Sequence, residues 1–143
     1  MTDTTSLLCA FRVPGTIVPW ARSRTRNGVH FTAPKVASYQ GAIRAAAFDA
    51  MQGQPPFDGP CRIHVDAHFV VPASWSKRKK ATAVFHQSRP DLDNIWKAVG
   101  DALNGIAYTD DARIADARVV KWYSTSPGLF VEVWRLDAER AAA

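Results

Sequence analysis

Five aspartates fall inside one window of the chain, RPDLDNIWKAVGDALNGIAYTDDARI (89–114): Asp91, Asp93, Asp101, Asp110 and Asp111. The chain as a whole is basic, with a formal net charge of +5. Carboxylates held close together repel one another unless a cation joins them. Oxygen-only ligands with room for water suit Mg²⁺ or Mn²⁺, ions that promote phosphodiester hydrolysis by activating water and neutralising developing charge.

Position decides whether these acids can converge. From Leu92 onward the apolar residues Leu92, Ile95, Trp96, Val99, Ala102, Leu103 and Ile106 recur at helical period. On the opposite face Asp93, Lys97, Asp101 and Asn104 fall within about 80° of one another at 100° per residue. Asp91 would point away from Asp93 inside a helix, but Pro90 sets the entry to the helix, so Asp91 is expected at the N-cap. Outside the helical turn its carboxylate is free to swing toward Asp93, and the positive helix end tolerates both anions. Lys97, one turn on, could pair with Asp93 or stabilise negative charge at a reacting phosphate. Asn104-Gly105 closes the helix, and the chain can then reverse to bring Asp110 and Asp111 back. A metal site is one reading. The other is a solvated helix with Asp91 as cap, an Asp93–Lys97 pair and an Asp-Asp turn; helical spacing leaves both open.

Competing motifs fail. An EF-hand loop starting at Asp91 needs an acid or amide at 95 and Gly at 96, where the chain has Ile95 and Trp96. A phosphatase-type D-x-D should end a buried apolar strand, and FHQSRP is not one. No local signature marks a Ser or Cys nucleophile. His64 and His68 lie roughly 13 Å apart on an extended strand and cannot share one ion.

The elements that must position the window read as a mixed α/β fold, α+β-like, in one domain over 1–143 with a frayed tail from about 137. Residues 7–13 form a first strand. A Pro-, Gly- and Arg-rich loop follows, with Asn27-Gly28 turning a hairpin. Thr32 and Pro34 start a helix from about 35 to 51, with Tyr39, Ile43, Ala46 and Ala47 inward. CRIHVDAHFVV (61–71) alternates as a half-buried strand with Ile63, Val65, Ala67 and Phe69 on one face. Lys77–Lys80 is a basic run, either a helix turn or a loose arm. ARVVKWYST and GLFVEVWRL, joined at Ser126-Pro127-Gly128, are predicted to pair as a closing hairpin.

Composition agrees. The chain is 143 residues long and 47% hydrophobic, long enough for a core, and no apolar run approaches the roughly 20 residues that span a bilayer. The start MTDTTSLLCAF lacks a charged-then-apolar leader, which places the expected compartment in the cytoplasm. Cys9 and Cys61 match no metal-ligand spacing and read as reduced packing residues. Residues 1–90 carry 12 Lys+Arg against 4 Asp+Glu, a net +8, and residues 91–143 carry 6 against 9, a net −3. A basic front half suggests a polyanionic partner such as nucleic acid; many soluble proteins of similar charge bind none, and charge alone leaves both readings open.

The same window, opening PDLDN and closing ALNG…DD, resembles the signature of the RusA-type Holliday junction resolvases. The Pro-containing loop IVPWARSRTRNGVHFT after the first strand, Tyr39 early in the first helix, and D-x-R-V-V-K at Asp116–Lys121 agree with it. The resemblance implies a homodimeric, Mg²⁺-dependent endonuclease acting on branched DNA, with Mn²⁺ as a second possible metal. It implies catalytic carboxylates at Asp91, Asp93 and Asp111, which would also hold the metal, and a catalytic-face lysine at Lys97. The choice of Asp111 over Asp110 comes from the resemblance alone, and Asp101 stands as an outer candidate. Arg22, Arg24, Arg26, Lys77, Arg78, Lys79, Lys80 and Arg89 would then line the DNA path through phosphates. The alternative is a protein of the same fold that binds branched DNA without cutting it.

Overall fold

The computed structural model describes residues 6–31 and 33–136, the side chains of Arg24 and Phe31 excepted. The elements run β1 (Ser6–Pro14), a small hairpin of β2 (Arg24–Arg26) and β3 (Val29–Phe31), α1 (Pro34–Met51), β4 (Cys61–Val70), α2 (Lys77–Thr82), α3 (Leu92–Leu103), a 3-10 turn (Asp111–Arg113), β5 (Ile114–Ser124) and β6 (Gly128–Arg135). The expected α/β mixed-sheet class holds. No helix is long and apolar enough to cross a membrane among the described residues.

The large sheet has the order β1-β6-β4-β5. β6 pairs antiparallel with both β1 and β4, whereas β4 and β5 run parallel. The predicted closing hairpin is therefore wrong: β5 and β6 follow each other in sequence but β4 lies between them. The Ser126-Pro127-Gly128 signal reverses the chain without fixing whether the two arms touch. β4 has an apolar face of Cys61, Ile63, Val65 and Ala67, all 0–1% exposed, and the central slot satisfies its backbone on both edges. β5 in turn becomes an edge strand.

Asn27 and Gly28 have φ of 52° and 76°, the two positive values that a tight type I′ hairpin requires. α1 begins as read, but Ala33 occupies the N-cap position and makes no side-chain cap bond. Thr32, the expected cap, lies outside the described residues, as does the tail from 137. Pro34 at the first helical position contributes the fixed φ instead. Val36, Tyr39, Ile43, Ala47 and Met51 form its buried stripe, while Ala46 is only partly covered.

α1 and α3 pack together on one face of the sheet, α1 against β1 and α3 against β5. Ile95, Val99 and Leu103 of α3 meet Ile43 and Ala47 of α1 and the inward residues of β4 and β6 in one continuous core. Arg44 ties the two helices from outside, donating from Nη1 to the carbonyls of Ala102 (2.9 Å) and Asn104 (3.3 Å). A cation there satisfies open carbonyls and opposes the negative helix end. Cys9 and Cys61 are free and buried, and burial raises the Cys9 thiol to about 11, so both are inert packing residues as expected.

Candidate active site

α3 starts where the sequence placed it. Asp91 is the N-cap, in extended conformation (φ −68°, ψ 149°), and its side chain makes no capping bond. The carboxylate is thus left for other work at the positive helix end, with Asp93 exposed in the first turn. The Arg89–Pro90 peptide that leads in is cis.

Two segments from elsewhere in the chain fix this helix end. From one side the loop after β1 arrives, with the Trp20 N–H donating to the Asn94 carbonyl (3.1 Å). Lys97 does not pair with Asp93 among the described residues; its Nζ lies 4.3 Å from the centroid of the Trp20 ring. The ring holds the ammonium by a cation–π contact and leaves both aspartates uncompensated. On the other side Lys121 of β5 donates from Nζ to the carbonyls of Ser88 (2.7 Å) and Pro90 (2.9 Å). Pro19, Arg89, Pro90, Asp91 and Asn94 line a cleft of about 310 Å³ between these supports.

The other acids gather at the far end of the helix. Asp101 is ten residues beyond Asp91, about 15 Å along the axis at 1.5 Å per residue. It acts on the Asp111 carboxyl through space, as does Asp110. Asp110 caps the 3-10 turn, accepting from the Ala112 N–H at 3.0 Å, and that bond holds its carboxyl below the usual range. Asp111 is pushed the other way, first by its hydrogen bond with Asp110 and then by desolvation and the neighbouring negative charges.

This acidic turn is firmly placed. Asp58 accepts from Thr109 Oγ1 (2.7 Å) and from Arg113 Nε (2.9 Å). Tyr108, fully buried, donates its hydroxyl to the Gly100 carbonyl at 2.7 Å and so pins the turn against α3. Tyr108→Phe should cost about 0.5–1.5 kcal/mol, the net worth of one such bond, read as a lowered denaturation midpoint with an unchanged m-value.

The structure thus brings Asp91 and Asp93 to one helix end, with Lys97 beside them, and Asp111 to the other. Among the described residues no three His, Cys, Asp or Glu side chains stand close enough to hold a metal together. The pair alone fits a hard divalent cation. Mg²⁺ is commonly held by one or two carboxylates with waters and substrate phosphates completing its shell, and Asp91 is exposed and unused by the helix.

Of the basic residues, Arg22 and Arg26 are exposed in the loop and hairpin that follow Trp20; the Arg24 side chain lies outside the described residues. Lys77, Arg78, Lys79 and Lys80 belong to the short helix α2, capped by Ser76, whose Oγ accepts from the Lys79 N–H. The loop reading of that run as an arm is replaced by the helix-turn reading. Trp20, Arg44, Asp58 and Tyr108 position the site without any local motif to reveal them. Lys121 lay inside the quoted D-x-R-V-V-K but carried no role there.

The structure is a sheet backed by two helices on one face, with two exposed acids at a helix N-terminus and exposed Arg22, Arg26 and Arg89 on neighbouring segments. Comparison with known proteins identifies the group. Residues 14–134 match the family model described as endodeoxyribonuclease RusA, and the chain belongs to that family of DNA endonucleases. It is also 31% identical over 137 residues to the uncharacterized protein YqaN of Bacillus subtilis (strain 168), covering 90% of this chain and 96% of that protein.

Proposed function

We propose that the chain is a Mg²⁺-dependent endonuclease that resolves four-way DNA junctions by paired cuts, working as a homodimer in recombination and repair. The observation that carries this reading is the Asp91/Asp93 pair, exposed and without an ion pair among the described residues, at a helix end held by the loop that carries Trp20 and by Lys121 of β5. A bound Mg²⁺ or Mn²⁺ would supply activated water and neutralise the charge that builds on the reacting phosphate. Asp91 and Asp93 would hold it, and Lys97, kept beside them by Trp20, would face the same phosphate. Arg22, Arg26 and Arg89 would draw the backbone into the cleft.

Asp111 remains the third carboxylate of this proposal. Its separation from Asp91 within one chain favours an arrangement in which the two-fold dimer supplies it across the subunit boundary. A labelled four-way junction, incubated with and without Mg²⁺, tests the whole reading. Paired linear products only with metal support it; binding without cutting under every metal would leave the non-cleaving alternative in its place.

Two further outcomes follow from the site. Asp110→Asn removes the charge and the hydrogen bond that raise the Asp111 carboxyl. If Asp111 acts as an anion, cleavage grows as pH climbs through its pKa, so this variant should move the acid limb of the rate profile to lower pH. A limb that stays put or moves up refutes the coupling. Replacing Arg22, Arg24 and Arg26 by Ala should weaken binding to all sequences and reduce the slope of log K against log salt by roughly 0.9 per lost contact. An unchanged slope would take this loop out of the interface.

A further inference from the structure

Between Asp66 and Asp91 the chain has no acidic residue and five cations, Lys77, Arg78, Lys79, Lys80 and Arg89. The same segment folds back along the outer edge of β5. The Tyr123 N–H donates to the Val84 carbonyl (2.8 Å) and the His86 N–H to the Lys121 carbonyl (3.0 Å). Aromatic rings gather where it does so. Trp75 meets Tyr123 edge-on at 5.2 Å, His86 stacks on Phe69 at 3.9 Å, and Phe85 stacks on Trp122 at 4.9 Å. Trp122 is itself fixed, donating from Nε1 to Asp66 Oδ1 at 2.8 Å. Lys79 Nζ sits 4.0 Å over the Trp75 ring.

Packing of the segment onto β5 accounts for Trp75, His86 and Tyr123, which are half-buried. It does not account for Phe85 and Val84, which are 60% and 54% exposed. Phe85 has one ring face against Trp122 and is otherwise largely open to solvent. It borders a cavity of about 380 Å³ with Trp75, Lys79, Gln87 and Tyr123. That volume is at the small end of ligand sites, fit for one flat ring system. The wall combines aromatic side chains, one cation (Lys79) and a polar amide (Gln87); aromatic stacking beside positive charge is the means by which proteins hold single-stranded bases without reading sequence.

The segment that carries Phe85 is tied to the candidate active site through Lys121, whose carbonyl accepts from the His86 N–H and whose side chain donates to the Pro90 carbonyl. We propose that this pocket takes one unpaired nucleobase of branched DNA, stacked on the open face of Phe85, while Lys77–Lys80 hold the flanking phosphates. The inference rests on the endonuclease reading and adds to it a source of structure selectivity. Bases at a branch point are already poorly stacked and cost least to extract, whereas a continuous duplex offers none.

The test uses the full chain, Ca²⁺ in place of Mg²⁺, and two probes of the same sequence: a four-way junction with 2-aminopurine at the branch point, and a matched duplex. Native protein should change the emission of the branch-point label. Phe85→Leu, which keeps an apolar side chain, should bind the junction roughly 5- to 150-fold more weakly, the worth of one base stack, with duplex binding unchanged. Phe85→Tyr should behave as native. Equal loss on both probes, or no loss, overturns the inference while leaving the endonuclease reading intact. So does a change in sedimenting mass for Phe85→Leu, which would make the pocket a contact between subunits. Failure of native protein to bind the junction at all overturns both.

Discussion

Asp93→Asn protein should cut a four-way junction about a thousandfold more slowly than the native chain, while binding it as well or better. Asparagine keeps the shape of the side chain and removes one of the two charges at the start of α3. Metal stabilisation of a phosphoryl transition state is worth several kcal/mol, and each 1.36 kcal/mol is tenfold in rate, which sets the size of the loss. Binding should be spared because the cations proposed to contact phosphates lie on other segments. It can tighten because Asp93 is exposed and makes no ion pair among the described residues to blunt its repulsion of DNA. Single-turnover cleavage in Mg²⁺ together with a gel-shift in Ca²⁺ separates the two effects. Near-native cutting would remove Asp93 from the centre.

Mixed dimers of Asp93→Asn and Asp111→Asn chains should recover activity that neither homodimer has. Asp93 lies in the first turn of α3, whereas Asp111 lies in the 3-10 turn near Asp101, which is eight residues or about 12 Å of helix further on, so a single chain is not expected to close them around one ion. If each centre draws its third carboxylate from the other chain, a mixed dimer has one centre with both defects and one with none. Random pairing of equal amounts would then restore about a quarter of the native centres, each able to cut a single strand. Co-expressed chains assayed on a labelled junction should therefore yield nicked molecules and few paired duplex products. A mixture as inert as its parents would place all three carboxylates of a centre in one chain.

The elements legible from sequence were those set by local chemistry. Pro90 and the apolar period after it fixed α3 to the residue at its N-cap, because a helix start depends on neighbouring side chains only. Asn27-Gly28 and the alternation of 61–70 were equally readable. Strand partnership was not. Ser126-Pro127-Gly128 reverses the chain whether or not another strand enters the gap, and the entry of β4 depends on its two-sided backbone demand rather than on anything near the turn. The site divides the same way. Asp91, Asp93 and Lys97 share a helix start, and spacing displayed them. Their separation from Asp111 depends on helix length and on the Tyr108 and Asp58 anchors, which act across the fold. Trp20 reaches Lys97 from the far side of α1 in sequence and had no pattern to betray it.

The position of β6 has a consequence for biosynthesis. Among the described residues β1 has β6 as its one strand partner, more than a hundred residues later, and β4 has β6 along one edge. Pairings between segments this far apart in the chain form slowly, because a long loop must close before any contact rewards it. Until Gly128–Arg135 has left the ribosome, β1 lacks its strand partner among the described residues and the central strand has one bare flank, so the platform beneath α1 and α3 is unfinished. Asp91, Asp93 and Asp111 have been synthesised by then, but the sheet beneath their helix has not. A chain of this design stays unfinished until Gly128–Arg135 has been made, and truncation before Gly128 should leave an aggregation-prone fragment that shows no cutting in a nuclease assay.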